Sequence, residues 1–152
     1  MNAPIDLPPW IRLQRDPFPY AEAARNYAPA THADEALRVF LPYLEREEVE
    51  VMMVLALDGN SRALGVQEVA RGGRSRLTVE MGQLFRVACV LGASGIILAH
   101  NHPSGDCTPS ADDHAITEVV AKAGELLRIP LMDHFIVAGR GNVYSFLADG
   151  KL

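Results

Sequence analysis

The sequence predicts one α/β domain, in which helices pack on a mixed β-sheet, preceded by a proline-rich arm. Three observations carry this prediction. A chain of 152 residues is long enough to bury one ordinary hydrophobic core. Segments with a helical apolar period alternate with short, β-rich apolar runs. Six of the ten prolines fall within residues 1–30, where no apolar period occurs. We therefore predict an arm over residues 1–30 and a domain over residues 31–152.

The first half of the domain is expected to form a helix and a small antiparallel meander. A helix from Ala33 to about Glu48 is predicted by apolar residues at i, i+3, i+4 and i+7. A strand over Glu50–Leu57 ends in the turn signal Asp-Gly-Asn-Ser, and a hairpin then leads into a second strand over Ala63–Ala70. A short strand over Arg76–Val79 closes the meander. The helix stripe consists of Leu37, Phe40, Leu41 and Leu44.

A second helix is predicted over Glu80–Leu91, because its apolar residues again follow helical spacing and Gly92 provides a stop signal. Cys89 is expected to belong to this packed segment. A short apolar strand over Gly95–Ala99 follows, and then a polar loop. The helix stripe consists of Leu84, Val87, Ala88 and Leu91.

The last part of the chain predicts a long helix and two strands. The helix covers about Ala111–Leu127, and the strands cover Leu131–Val137 and Val143–Leu147, with a glycine-rich turn between them. The expected inner face of the helix consists of Ile116, Val119, Val120 and Ala123.

The composition excludes several protein classes. Two cysteines, Cys89 and Cys107, are too few for a disulfide framework, which favours a reducing cytoplasm. No apolar run approaches the roughly 20 residues that span a bilayer, and the N-terminus does not resemble a signal peptide, so we expect no membrane insertion. The formal net charge of −5 disfavours non-specific binding to nucleic acids.

The stretch from residue 100 to residue 113 carries the chemistry. His100 and His102 lie two residues apart, so an extended backbone directs both imidazoles to the same side. Asp113, in the first turn of the following helix, can supply a third ligand. Two imidazoles and a carboxylate suit Zn²⁺, and a set of three ligands leaves one coordination position open for water, as in catalytic zinc sites.

A purely structural interpretation of the same residues is also available. Ser110-x-x-Asp113 is close to a helix capping box, in which Ser110 caps the helix and Asp113 is favoured by the helix dipole. The combined pattern of two histidines, a serine and an aspartate at fixed offsets nevertheless favours the metal site.

The motif H-x-H, seven residues, S-x-x-D resembles that of the JAMM (JAB/MPN+) metalloproteases. The wider text resembles the bacterial RadC family in LAHNHPSGD, TPSADD, AGELL, DHFIVAG and SF. The resemblance extends from about Thr31 to the C-terminus. It implies a cytidine-deaminase-like JAB/MPN fold and a zinc peptidase or isopeptidase activity on a peptide or protein substrate. Within that fold His100, His102 and Asp113 are the implied zinc ligands, and Ser110 assists the oxyanion.

The family also uses an upstream glutamate, at the start of a strand, as general acid and base. The resemblance selects Glu50, while Glu47, Glu48 and Glu80 remain rivals by sequence alone. Such a carboxylate can take a proton from an attacking water and pass it to a leaving amine. Two alternatives stay open for the whole chain. One is a DNA-repair-associated protein that binds nucleic acid, as the RadC name suggests, and the other is a non-catalytic scaffold.

Other polar residues of the motif region are given structural roles. Asn101 and Ser104 are interpreted as loop polarity, and His114 is expected to point about 100° away from Asp113 on the helix. The pair Asp133-His134 is interpreted as hydrogen-bonded and partly buried. His32 is expected in solvent, and Cys107 is not expected to bind the metal.

Overall fold

The computed structural model describes residues 33–72, 79–139 and 141–152. Over these residues it contains three helices and five strands, which confirms the predicted α/β class. The proline-rich arm and most of the strand predicted at residues 76–79 lie outside the described residues. The helices are α1 (Ala33–Leu44), α2 (Met81–Leu91) and α3 (Ala111–Leu127), and the strands are β1 (Val51–Leu57), β2 (Ala63–Arg71), β3 (Gly95–Asn101), β4 (Leu131–Val137) and β5 (Val143–Ser145).

The described strands form one mixed sheet in the order β2-β1-β3-β4-β5. Strand β1 pairs antiparallel with β2, as the predicted hairpin requires, and it also pairs antiparallel with β3 on its other side. Strands β3 and β4 are parallel, and α3 makes the crossover between them. The carboxyl ends of β3 and β4 therefore lie side by side, next to the start of α3.

The two faces of the sheet carry two separate hydrophobic cores. Alternate residues of each strand point to opposite faces, so neighbouring residues of β1 and β3 enter different cores. We call these faces the α1 face and the α2/α3 face, after the helices that cover them. The α1 face buries Ala36, Val39, Phe40, Leu44, Val51, Met53, Leu55, Leu57, Ala63, Val66, Ile97, Ala99, Phe135 and Val137. The α2/α3 face buries Met52, Val54, Val69, Leu84, Phe85, Val87, Ala88, Ile96, Leu98, Val120, Ile129 and Leu131.

The inner line of α3 differs from the predicted one. Val119 was predicted to face inward but is 50% exposed, while Asp113, Thr117 and Gly124 are buried together with Val120. These residues are spaced by four, three and four positions, which is a regular helical stripe. The prediction failed because it counted only apolar side chains. Ile116 and Ala123 are partly buried at the edges of the stripe.

Gly124 explains how closely α3 approaches the chain that leads into β4. A Cβ atom at this position would lie 2.6 Å from the carbonyl oxygen of Ile129 and 3.2 Å from the backbone nitrogen of Leu131. Only a residue without a side chain fits this contact. The backbone N–H of Ile129 donates to the Gly124 carbonyl at 2.9 Å, which holds the two segments together.

Several boundaries differ from the predictions, each for a local reason. Strand β3 continues through Asn101, because that residue pairs with Val137 of β4. Strand β5 ends at Ser145, since the N–H of Leu147 donates to the Asp133 carboxylate instead of to a strand neighbour. Helix α1 ends at Leu44 rather than near residue 48.

Helix α2 stops where the sequence predicted, because Gly92 adopts the left-handed conformation with φ of 65° and caps the helix. Cys89 lies on the solvent side of α2 and is exposed, so its predicted place in the packed segment is wrong. Among the described residues, no helix combines the length and the apolar character that crossing a bilayer demands.

Candidate metal centre

Four candidate residues meet at the carboxyl end of β3. His100 lies within β3, His102 follows it directly, Asp113 lies in the first turn of α3, and Glu50 immediately precedes β1. One potential ligand atom from each residue lies within 4.8 Å of the corresponding atoms of the other three. The structure thus brings together the three residues predicted to hold a metal and places the predicted general base beside them.

The sheet register explains why Glu50 reaches this place. Met52 of β1 is the antiparallel partner of His100 in β3. Moving two residues toward the start of β1 and two residues beyond His100 brings Glu50 opposite His102. Glu50 shares a face with Met52, and His102 shares a face with His100, because residues two apart on a strand point to the same side. These four side chains all lie on the α2/α3 face. The register therefore delivers the glutamate to the histidines.

The distances within the cluster are short. His100 Nε2 lies 3.0 Å from Asp113 Oδ1 and 3.0 Å from His102 Nε2. His102 Nε2 lies 3.3 Å from Asp113 Oδ2, and His100 Nε2 lies 3.9 Å from Glu50 Oε1. The side chain of His100 is fully buried, whereas that of Glu50 is 34% exposed. The cluster is therefore closed on the His100 side and open to solvent on the Glu50 side.

The hydrogen bonds of His102 fix the direction of its ring. Its Nδ1 lies 2.8 Å from the carbonyl oxygen of Asp106. A carbonyl oxygen only accepts, so Nδ1 carries the proton, and neutral His102 presents the lone pair of Nε2 to the cluster. The lone pair of His102 Nε2 then faces the Asp113 carboxylate, with Oδ2 at 3.3 Å. A cation relieves this repulsion, so the donor set fits a metal.

The electrostatics of the cluster agree with this geometry. A hydrogen bond to the Asp113 carboxylate, which favours the protonated imidazole, raises the pKa of His102 above its ordinary value, against the opposing effect of burial. Burial alone would raise the pKa of Asp113, but the contacts with His100 and His102 outweigh it and hold that pKa far below its usual range. The cluster therefore keeps a carboxylate charge inside the protein and attracts positive charge.

The capping box and the metal cluster coexist on the same carboxylate. Ser110 Oγ accepts from the N–H of Asp113 at 3.1 Å, and Asp113 Oδ2 accepts from the N–H of Ser110 at 2.7 Å. Asp113 Oδ1 remains directed at His100. The two interpretations of the S-x-x-D spacing are thus compatible, because Oδ1 faces His100 while Oδ2 caps the helix and also lies 3.3 Å from His102 Nε2. The hydroxyl of Ser110 donates to Asp113 Oδ2 at 2.7 Å.

The rival glutamates lie elsewhere. Glu47 forms a two-point ion pair with the guanidinium of Arg71, at 2.7 and 3.1 Å. Glu48 is exposed, and Glu80 occupies the N-cap position of α2. Within the described ranges, Glu50 is the glutamate that belongs to the cluster.

Asn101 makes hydrogen bonds beside the cluster that sequence reasoning missed. It was interpreted as loop polarity, but it lies within β3, is buried, and points to the opposite face from His100. Its Oδ1 accepts from the N–H of Val51 at 2.8 Å, and its Nδ2 donates to the carbonyl oxygens of Glu47 at 3.2 Å and Val49 at 2.9 Å. Asn101 therefore ties the segment that carries Glu50 to the strand that carries the histidines.

His134 and Thr117 were also missed. His134 is completely buried, with its Nε2 atom 2.8 Å from His100 Nδ1 and its Nδ1 atom 2.6 Å from Thr117 Oγ1. Burial is the main reason that the pKa of His134 lies well below its ordinary value. The predicted hydrogen bond between Asp133 and His134 is present, from the His134 N–H to Asp133 Oδ1 at 2.7 Å, but both residues are buried rather than partly buried.

The remaining polar residues of the motif lie outside the cluster. His114 is exposed and contacts Phe146 edge-on, in agreement with its predicted direction on the helix. Cys107 is half-buried and supplies no atom to the cluster. Ser104 Oγ accepts weakly from the N–H of Asp106 at 3.4 Å, which is a contact within the loop. His32 lies outside the described residues.

Comparison with known proteins adds two findings. A family model described as "RadC-like JAB domain" matches residues 30–152. Curated bacterial relatives, each named "UPF0758 protein", match across most of the chain. The relative from Thermotoga maritima is 40% identical over 124 residues, which cover 78% of this chain and 54% of that protein. One from Histophilus somni (strain 2336) is 36% identical over 126 residues, which cover 82% of this chain and 56% of that protein.

A third relative, from Actinobacillus pleuropneumoniae serotype 5b, is 40% identical over 111 residues, covering 73% of this chain and 50% of that protein. The chain therefore spans about half the length of the curated relatives that it matches. The matched part includes the whole candidate metal centre, since the family model begins before Glu50 and ends at the last residue.

Proposed function

This chain belongs to the RadC-like JAB domain family, and from that membership and its clustered donor set we propose that it is a zinc-dependent hydrolase of amide bonds. The observation that carries the proposal is the convergence of four donor atoms within 4.8 Å. Two of them are imidazole nitrogens, and Nε2 of His102 faces the cluster without a proton when the ring is neutral. The proposed substrate is a peptide or protein.

The residues present suit zinc. His100, His102 and Asp113 supply two nitrogen ligands and one oxygen ligand, which is a common donor set for this metal. Three protein ligands leave a fourth position for solvent or substrate, which is the mark of a catalytic rather than a structural zinc site. The open side of the cluster, beside Glu50, gives a substrate access to that position. When bound, zinc polarises a carbonyl group and makes a nucleophile available near neutral pH.

Glu50 is the proposed proton carrier. Its carboxylate is partly exposed and lies 3.9 Å from His100 Nε2, close enough to contact a water held among the ligands. Oε1 of Glu50 accepts the proton of that water and returns it to the nitrogen of the leaving amine. Asn101 and the backbone bond from the Gly72 N–H to the Glu50 carbonyl, at 2.6 Å, hold this part of the chain in place.

Ser110 is proposed to donate a hydrogen bond to the developing oxyanion. Its hydroxyl donates to Asp113 Oδ2 in the structure, so this role requires the hydroxyl to turn away from the carboxylate. Ser110 is exposed, which leaves it within reach of a substrate carbonyl.

The deciding experiment separates a general base from a fourth ligand. Zinc affinity of the wild type, Glu50→Gln and the matched control Glu48→Gln is measured by competition with a chromophoric chelator, and turnover is measured on a fluorescence-quenched peptide library. We expect Glu50→Gln to bind zinc like the wild type but to lose turnover by about 10²- to 10⁴-fold, because only proton transfer is removed. The Glu48→Gln variant should match the wild type in both measurements.

Three outcomes would contradict the proposal. A wild-type protein that binds no zinc would remove its basis. A Glu50→Gln variant that loses zinc would make Glu50 a fourth ligand and the site a closed, structural one. Zinc binding without turnover that depends on Glu50 would favour the scaffold interpretation instead.

A further inference from the structure

A continuous chain of hydrogen bonds links α3 to the imidazole of His100 through the interior of the protein. Thr117 Oγ1 donates to the carbonyl oxygen of Asp113 at 2.6 Å and also lies 2.6 Å from His134 Nδ1. The other ring nitrogen of His134, Nε2, lies 2.8 Å from His100 Nδ1. His100 and His134 are completely buried, and Thr117 is 3% exposed. Solvent therefore does not compete for these bonds.

One acceptor-only group determines which atom carries the proton in each of these hydrogen bonds. The Asp113 carbonyl oxygen only accepts, so the single hydroxyl proton of Thr117 must point at it. Thr117 Oγ1 can then only accept from His134, whose Nδ1 must carry a proton. Complete burial favours the neutral imidazole at His134, so its Nε2 holds a lone pair. That lone pair can only accept from Nδ1 of His100.

The hydrogen bond between His134 and His100 determines which nitrogen of His100 presents a lone pair to the candidate metal centre. A neutral imidazole with its proton on Nδ1 has an unprotonated Nε2, and this atom lies 3.0 Å from both Asp113 Oδ1 and His102 Nε2. The opposite tautomer would place a proton in the centre of the cluster. It would also leave two lone pairs facing each other across the 2.8 Å between His100 and His134.

We propose that Thr117 and His134 are positioning residues that hold His100 in its metal-binding tautomer and so raise the metal affinity of the site. This inference rests on the proposed zinc-dependent function. Partners of this kind, which bond to the far nitrogen of a ligating histidine, typically change metal affinity by about 10- to 100-fold when they are removed.

Packing alone does not account for these two residues. His134 lies beside Leu98 in the sheet register, next to the apolar core of the α2/α3 face, and its ring stacks on Phe146 at 4.9 Å and 9°. Replacing both partners of a buried hydrogen bond with apolar groups of the same shape is often neutral for stability. The hydrogen bonds of Thr117 and His134 lead to the ring of His100, which faces the candidate metal centre. The two residues therefore point to a role in fixing the tautomer of that ring.

The test compares Thr117→Val, which replaces the hydroxyl with a methyl group of similar size, with Thr117→Ser, which keeps the hydroxyl. Zinc affinity of the full chain is measured by chelator competition, and folding of each variant is checked by circular dichroism. We expect Thr117→Val to bind zinc about 10- to 100-fold more weakly. Thr117→Ser should bind like the wild type, since it can still accept from His134 and donate to Asp113.

A second measurement reads the tautomers directly and needs neither zinc nor a variant. Nitrogen-15 NMR of the histidine rings in the metal-free wild type, near pH 8, reports which ring nitrogen carries the proton. We expect the proton on Nδ1 in both His100 and His134. This readout keeps the proposal testable even if Thr117→Val fails to fold.

The outcomes separate this inference from the proposed function. A folded Thr117→Val variant that binds zinc as tightly as the wild type would overturn the positioning role, and so would an NMR signal for a proton on Nε2 of His134. A wild type that binds no zinc overturns the proposed function, and with it the role in metal binding. The tautomer measurement then still decides whether His134 and His100 both carry their proton on Nδ1.

Discussion

The two faces of the sheet use the same strands but differ at one end. The α1 face buries apolar residues from Leu57 to Val137, and its one buried polar residue in β3 is Asn101, which bonds to the backbone of residues 47–51. The α2/α3 face starts in the same way but also buries two histidines, His100 near the carboxyl end of β3 and His134 in the middle of β4. Because alternate residues point to opposite faces, a single step along β3 changes the environment from Ala99 in a core to His100 in the cluster. The candidate site therefore lies on the α2/α3 face, next to the apolar core of that face.

The comparison predicts that substitutions on the two faces separate folding from metal binding. Phe40 is completely buried in the α1 face, so Phe40→Ala should lower the free energy of unfolding by about 3–5 kcal/mol. Zinc affinity of the folded protein should stay that of the wild type. Urea denaturation and chelator competition measure the two quantities. If Phe40→Ala proves too unstable, the milder Phe40→Leu serves instead, and a loss of zinc affinity in either folded variant would break the comparison.

On the α2/α3 face, Asp113→Asn should weaken zinc binding by more than about 100-fold, because it removes the charge of a proposed ligand. That loss exceeds the upper end of the range for residues that only hydrogen-bond to a ligand. The amide oxygen can still accept from the N–H of Ser110 and retain the helix cap. Chelator competition checks the loss. A variant that retained wild-type affinity would exclude Asp113 as a ligand.

Gly124→Ala tests how much the close approach of α3 to the segment before β4 contributes to stability. The added Cβ would lie 2.6 Å from the Ile129 carbonyl oxygen, so α3 must shift, and we expect unfolding to become easier by about 1–3 kcal/mol. The matched control is Gly82→Ala in α2, where a Cβ meets no atom within 4 Å. That change should stabilise the protein by up to about 1 kcal/mol through helix propensity. Thermal unfolding of both variants measures the contrast, and equal effects would contradict it.

The smallest effect is expected outside both faces. Val119 is 50% exposed, so Val119→Lys should change the free energy of unfolding by less than about 0.5 kcal/mol. A cost of several kcal/mol in urea denaturation would restore the inner-face prediction made from the sequence. Leu126→Lys, at a position 85% exposed, is the matched control for a surface change on the same helix.

The sequence predicts the fold well because apolar periodicity marks most of the elements. The predicted limits of α3 and β4 agree with the structure, since a capping serine, a long apolar period and Pro130 punctuate that part of the chain. The same method misplaced the inner face of α3. Asp113, Thr117 and Gly124 face inward for reasons that apolarity does not measure, namely a carboxylate in the cluster, a hydrogen bond to His134 and a close backbone contact.

The candidate site was predictable only in part. His100, His102, Asp113 and Glu50 carry a linear signature, and the structure places them together. Asn101 and His134 do not, because their roles depend on which chain segment lies beside them across the sheet. A clue existed in the periodicity: Asn101 continues an apolar strand, where a polar side chain needs a partner. Its partners, however, lie about fifty residues away in the sequence.

The amide of Asn101 has a mechanical consequence. It connects β3 to three backbone groups at residues 47–51, while its two neighbours in the sequence are the candidate ligand histidines. A displacement of this strand tip is therefore expected to move Glu50 and the two imidazoles together.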